Sequence, residues 1–136
     1  MTKGPKKILI ADDEVEITNS LKESLEESGY RVLTACDGMT AVDLARREMP
    51  DLILLDIMLP TLDGYRVLKI LKSDERYQGI PILVITARAG MDDWALAVEC
   101  GANGCLNKPV RVSELMERID ACFKQTTTIK NNAAAH

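Results

Sequence analysis

The 136-residue chain has a single histidine, and it is the last residue, His136. Its four cysteines, Cys36, Cys100, Cys105 and Cys122, include no C-x-x-C pair, so a Cys/His zinc site lacks ligands at usable spacing. They read instead as small buried hydrophobes. There is no excess of basic residues. Lys plus Arg number 17 against 21 Asp plus Glu, a formal charge of −4, which argues against direct nucleic-acid binding by this domain. No apolar run approaches the length of a membrane span, and no charged-then-apolar leader opens the chain, so the cytoplasm is the expected compartment and no membrane partner is expected. No glycine-rich phosphate loop follows the first apolar run, which sets aside a nucleotide- or flavin-binding domain. No internal repeat or linker divides the sequence.

What is present suits one globular domain. The hydrophobic fraction is 46%, well above that of a disordered chain. Short apolar runs alternate with amphipathic stretches. The runs predict strands at Lys7–Ala11, Arg31–Ala35, Leu52–Asp56, a segment introduced by Pro81 and ending at Thr86, and Gly104–Asn107. Between and after them the 3.6-residue pattern predicts helices at Val15–Ser28, Met39–Glu48, Gly64–Asp74, Asp92–Cys100 and Val112–Lys124. Five successive βα units with doubly apolar strands imply a parallel sheet covered on both faces, doubly wound because crossovers are right-handed. Residues 1–6 form a leader, residues 7–124 the domain, and residues 125–136 a polar, aperiodic tail expected to be disordered. The end of that tail, Ala133-Ala134-Ala135-His136, resembles an expression scar.

The polar residues of these runs sit at their ends. Asp12 and Asp13 close the first, Asp56 the third and Thr86 the fourth, and Lys108 follows the fifth. In an open α/β sheet, ligands bind beyond the carboxyl ends of the strands. Three carboxylates brought together there repel one another unless a cation lies among them. A hard divalent ion fits, and Mg²⁺ fits best, because it takes few carboxylates and keeps waters or phosphate oxygens; the Met58 carbonyl supplies a further oxygen. Lys108 adds a mobile positive charge and Thr86 a hydroxyl donor. These parts suit phosphoryl transfer, with Asp56 as nucleophile forming an acyl phosphate. Taken singly, an acidic pair before a helix is an ordinary cap, Thr86 a β-former and Lys108 a solvated lysine. The conjunction at one sheet edge carries the reading.

The residues then become recognisable. Ile8-Leu9-Ile10-Ala11-Asp12-Asp13-Glu14, Leu55-Asp56-Ile57-Met58-Leu59-Pro60 with Asp63-Gly64, Val84-Ile85-Thr86-Ala87, Gly101-Ala102-Asn103-Gly104 and Lys108-Pro109 resemble the receiver domain of two-component response regulators. The resemblance covers about residues 6–124. It implies a flavodoxin-like fold with strand order 2-1-3-4-5. Asp56 would accept a phosphoryl group from a sensor histidine kinase or a histidine phosphotransfer protein. Asp13, Asp56 and the Met58 carbonyl would ligate Mg²⁺, while Asp12 would hold a metal-bound water. Thr86 and Lys108 would each contact a phosphoryl oxygen. A cis Lys108–Pro109 bond is implied, and Gly64 is expected to have positive φ. The output would be a changed surface around helix four, strand five and helix five, acting on a downstream protein or effector domain, with phosphorylation-dependent dimerisation left open.

The sequence departs from the family pattern in three respects. Cys105 stands where receivers commonly carry Tyr or Phe, so helix four and Trp94 are expected to carry more of the signal. Met58 and Arg88 stand two residues after the nucleophile and the threonine, where neither is an acid that orients attacking water, so slow autodephosphorylation is expected. The output face carries the charges Asp92, Asp93, Glu99, Arg111, Glu117 and Arg118, which assign no dimer pattern and read as a solvated face. Two other classes compete. An aspartyl-nucleophile phosphatase would carry an Asp at position 58 as general acid, and Met58 cannot transfer a proton. An interaction-only pseudo-receiver would have lost the acidic pair, the nucleophile or the lysine, and all are present.

Overall fold

The computed structural model of the chain describes residues 4–87 and 90–135, with side chains through Lys124. Five strands, β1 (Lys7–Ala11), β2 (Arg31–Ala35), β3 (Leu52–Leu55), β4 (Ile82–Thr86) and β5 (Gly104–Asn107), alternate with five helices. The helices are α1 (Val15–Glu27), α2 (Gly38–Glu48), α3 (Gly64–Lys72), α4 (Met91–Glu99) and α5 (Val112–Ala135). All strand pairs are parallel, in the order β2-β1-β3-β4-β5, as the receiver resemblance implied.

Side-chain alternation along the strands builds two cores, one on each face of the sheet. Leu9, Ala11, Ile53, Leu55, Ile82 and Val84 point to one side, where Val67, Leu68 and Leu71 of α3 and Ala41 and Ala45 of α2 cover them. Ile8, Ile10, Leu52, Leu54, Leu83 and Ile85 point to the other, under Leu21 and Leu25 of α1 and Leu115 and Ile119 of α5. β1, β3 and β4 are therefore almost wholly buried, which explains why their sequences are unbroken apolar runs instead of alternating ones. Register aligns the strand ends: Ala11 lies opposite both Ala35 and Leu55, and Thr86 opposite Asn107. The residues that follow these ends share one edge.

The structure moves several boundaries. β3 stops at Leu55, so Asp56 is the first residue beyond it. α2 begins at Gly38, because Asp37 is its N-cap and accepts from the Thr40 amide at 2.8 Å. α1, α3 and α4 end at Glu27, Lys72 and Glu99, short of the expected Ser28, Asp74 and Cys100. Gly29 (φ 97°) and Gly101 (φ 108°) turn the chain after α1 and α4 in a left-handed conformation that glycine adopts without penalty. The largest difference is α5. Its main chain stays helical to Ala135, where the sequence pattern ends it at Lys124 and expects a disordered tail. The stretch lacks apolar periodicity, but it also lacks glycine and proline, and Ala133, Ala134 and Ala135 are the strongest helix formers.

Candidate functional site

The carboxyl edge of the sheet brings together the acids of two strands and the lysine of a third. Ladder hydrogen bonds carry past the strand ends and fix the backbone there. The Asp12 amide donates to the Ala35 carbonyl at 3.0 Å, the Asp56 amide to the Ala11 carbonyl at 2.9 Å, and the Lys108 amide to the Thr86 carbonyl at 2.9 Å. Each side chain is then held locally. Asp12 Oδ1 accepts from the Glu14 amide at 2.9 Å, and Asp56 Oδ1 accepts from the Met58 amide at 3.0 Å. The Lys108–Pro109 peptide is cis.

Lys108 reaches into the middle of this edge. Its Nζ lies 2.8 Å from Asp12 Oδ2, 2.8 Å from Asp56 Oδ2 and 2.6 Å from Glu14 Oε1. Asp12, Asp56 and the Lys108 side chain are buried, whereas Glu14 and Asp13 are exposed. Asp12, Asp13 and Asp56 each offer a carboxylate oxygen, all within 4.8 Å of one another. Thr86 is fully buried at the end of β4. Arg88 lies outside the described residues. A cavity of about 410 Å³ opens beside Asp13, lined by Met58, Pro60, Asp63 and Tyr65.

Electrostatics follow from one ammonium serving three carboxylates. Burial alone would lower the pKa of Lys108, but its hydrogen bonds to Asp12, Asp56 and Glu14 outweigh that and raise it, so it stays charged. Asp56 receives only a share of that ammonium. Burial raises its pKa, and the hydrogen bonds from Lys108 and the Met58 amide offset this only in part. With Asp13 beside them, the acids outnumber the cation. A compact set of hard oxygen donors with uncompensated negative charge fits a divalent ion such as Mg²⁺.

One sequence expectation is corrected. Gly64 does not have positive φ among the described glycines; only Gly29 and Gly101 do. Its role is close approach: a Cβ there would lie 2.6 Å from both the Asp56 carbonyl oxygen and the Ile57 Cα. α3 therefore starts against the backbone that carries Asp56, and Asp63 caps it by accepting from the Arg66 amide at 3.0 Å. Glu14 is not among the sequence-predicted site residues. It makes no side-chain cap bond and turns to Lys108 instead. The signal for this was a third acid directly after Asp12-Asp13, but its partner lies 94 residues away in sequence.

The switch position is occupied differently from an aromatic. Cys105 is buried, burial raises its thiol pKa, and Arg118 Nη2 donates to its carbonyl at 3.2 Å. α4 is tied to α3 by the Tyr65 hydroxyl, 3.1 Å from Asp93 Oδ1. Met91, Trp94, Leu96 and Val98 of α4 are exposed.

Comparison with known proteins gives the family. Residues 8–120 match the response regulator receiver domain, and the chain belongs to that family, a component of two-component systems. It is 40% identical over 130 residues to the DNA-binding dual master transcriptional regulator RpaA of Synechocystis sp., covering 96% of this chain and 54% of that protein. It is 43% identical over 121 residues to the alkaline phosphatase synthesis transcriptional regulatory protein PhoP of Bacillus subtilis, covering 89% of this chain and 50% of that protein. The chain thus spans about half the length of the curated relatives it matches. A CheY-like receiver domain protein from Methanospirillum hungatei superposes with a TM-score of 0.85 at 28% identity, covering 92% of this chain and 99% of that one. The receiver domain of a Francisella response regulator superposes with a TM-score of 0.82 at 31% identity, covering 89% and 98%. Among the described residues no helix is long and apolar enough to cross a membrane.

Proposed function

We propose that this receiver is a phosphorylation-dependent switch with Asp56 as its phosphoryl acceptor. The observation that carries the reading is the buried Lys108 ammonium bonded to Asp12 and Asp56 at the end of the sheet, with Asp13 completing a cluster of cation-binding oxygens. A structural core has no use for three converging acids and a lysine, because desolvating them costs free energy that packing alone would avoid. A Mg²⁺ ion held by Asp13, Asp56 and the Met58 carbonyl, with Asp12 on a bound water, would neutralise charge on the transferring group. An oxygen of Asp56 attacks the phosphorus of a phosphohistidine. The P–N bond breaks, the imidazole keeps the electron pair and takes up a proton, and an acyl phosphate remains on the domain. Lys108 and the Thr86 hydroxyl then each engage a phosphoryl oxygen.

The donor in this reading is a sensor histidine kinase or a histidine phosphotransfer protein in the cytoplasm. The domain catalyses its own modification and loss of phosphate but turns over no external substrate. Its folded unit is residues 7–124. The modification shifts the surface around α4, β5 and α5 toward an output partner, an effector domain or a second copy. That RpaA and PhoP are transcriptional regulators about twice this length supports an effector domain as the reader of that surface.

Incubation with a phosphorylated histidine-containing donor tests the reading. Label should move to the chain, be released by hydroxylamine as an acyl phosphate is, and fail to move to Asp56→Asn. Label that resists hydroxylamine, or that still reaches Asp56→Asn, would contradict it. The phosphatase alternative would instead release inorganic phosphate from a small ester with turnover; Met58, at the position where a general acid is needed, argues against it.

A further inference from the structure

An ammonium has three N–H bonds, and Lys108 has three carboxylate acceptors: Glu14 at 2.6 Å, Asp12 at 2.8 Å and Asp56 at 2.8 Å. Two of these acceptors, Asp12 and Asp56, also belong to the oxygen cluster suited to a cation, and Glu14 does not. A divalent ion held by Asp13 and Asp56, with Asp12 on a bound water, would draw on the same carboxylate charge that attracts Lys108. Glu14 is then the one acceptor of the three outside that competition. Its backbone is well anchored for the task. The Glu14 amide donates to Asp12 Oδ1 at 2.9 Å, and its carbonyl accepts from the Thr18 amide at 3.0 Å. The residue sits at the N-cap of α1 in an extended conformation, with no side-chain cap bond, so its carboxylate is directed to Lys108 and not to the helix.

Resting on the reading of Asp56 as the phosphoryl acceptor, we propose that Glu14 is a positioning residue that holds the Lys108 ammonium beside Asp56 once a divalent cation has engaged the aspartates. Lys108 is thereby in place when the phosphoryl group arrives. With acetyl phosphate as donor, an Asp56 oxygen forms the new bond to phosphorus, the bond between phosphorus and the acetyl oxygen breaks, and acetate leaves with the electron pair. Glu14 touches neither reacting atom and neither gains nor loses a proton.

Two measurements on Glu14→Ala, Glu14→Gln and Glu16→Gln test this. Glu16 is an exposed acid in the first turn of α1, so its replacement removes the same charge from the same region without a bond to Lys108. The first readout is the Lys108 ammonium proton signal by NMR in the protein saturated with Mg²⁺. It should be resolved in the wild type and Glu16→Gln and lost to solvent exchange in Glu14→Ala. The second is the rate of phosphorylation at saturating acetyl phosphate and Mg²⁺, followed by intact mass. Glu14→Ala should lower this limiting rate about tenfold, Glu14→Gln, which keeps an oxygen acceptor, by less, and Glu16→Gln should stay within about twofold of wild type. A persistent ammonium signal in Glu14→Ala, an unchanged limiting rate, or an equal fall in Glu16→Gln would overturn the positioning role while leaving Asp56 as acceptor. A wild-type protein that takes no phosphoryl group would overturn both.

Discussion

At the scale of single residues, Asp56 is the electrostatic weak point of the fold. Its raised pKa means that the folded state holds its proton more tightly than the unfolded chain does. The sign follows from linkage. The stability it contributes is fully present below the unfolded value of about 4 and is lost as pH rises through the higher folded value. Asp56→Asn escapes that loss, so in metal-free buffer at pH 7 its Tm should exceed that of the wild type, with the gap closing as pH falls toward 4. Thermal unfolding across that pH range checks it, and a variant less stable than wild type at pH 7 would show that Asp56 is a structural anchor. Met58 is a second residue-scale case. Its side chain is exposed at the rim of the site and has no group to orient water. Acyl phosphate on Asp56 should therefore hydrolyse slowly, and Met58→Asn should speed loss of the added mass several-fold. Asp12, Asp13, Asp56, Thr86 and Lys108 could be picked out in the sequence because each follows an apolar run, and runs align in a parallel sheet. The Glu14–Lys108 bond could not, because it depends on how far two side chains reach across the edge.

At the scale of elements, strands were the easiest to read, since β1, β3 and β4 are buried on both faces and leave unbroken apolar runs. Ends were harder. The main chain of α5 is helical past the end of its apolar pattern, and Gly64 is explained by the approach of α3 to the Asp56 backbone, a tertiary fact that local conformation does not encode. In the proposed switch, α4 is the element expected to pass the signal on. Only Ala97 of its residues is buried, and its N-terminal turn is held to α3 by the Tyr65–Asp93 bond. Few buried contacts make an element easy to shift. With Cys105 at the aromatic position, phosphorylation should change both Trp94 fluorescence and amide exchange in α4. If both stayed constant in fully phosphorylated protein, α4 would not be the output element.

At the scale of the whole molecule, the (βα)5 architecture followed from alternation of apolar runs, whereas the strand order rested on the receiver resemblance, because periodicity alone does not say which strand neighbours which. Among the residues whose side chains are described, the two cores include members as far along as Phe123. In the proposed reading the fold presents Asp56 to a metal site and a lysine, and intact mass after incubation with acetyl phosphate and Mg²⁺ measures whether it does. One phosphoryl group should add to the wild type, none to Asp56→Asn and none when Mg²⁺ is chelated. A folded wild type that gains no mass, or a gain that survives in Asp56→Asn, would contradict it.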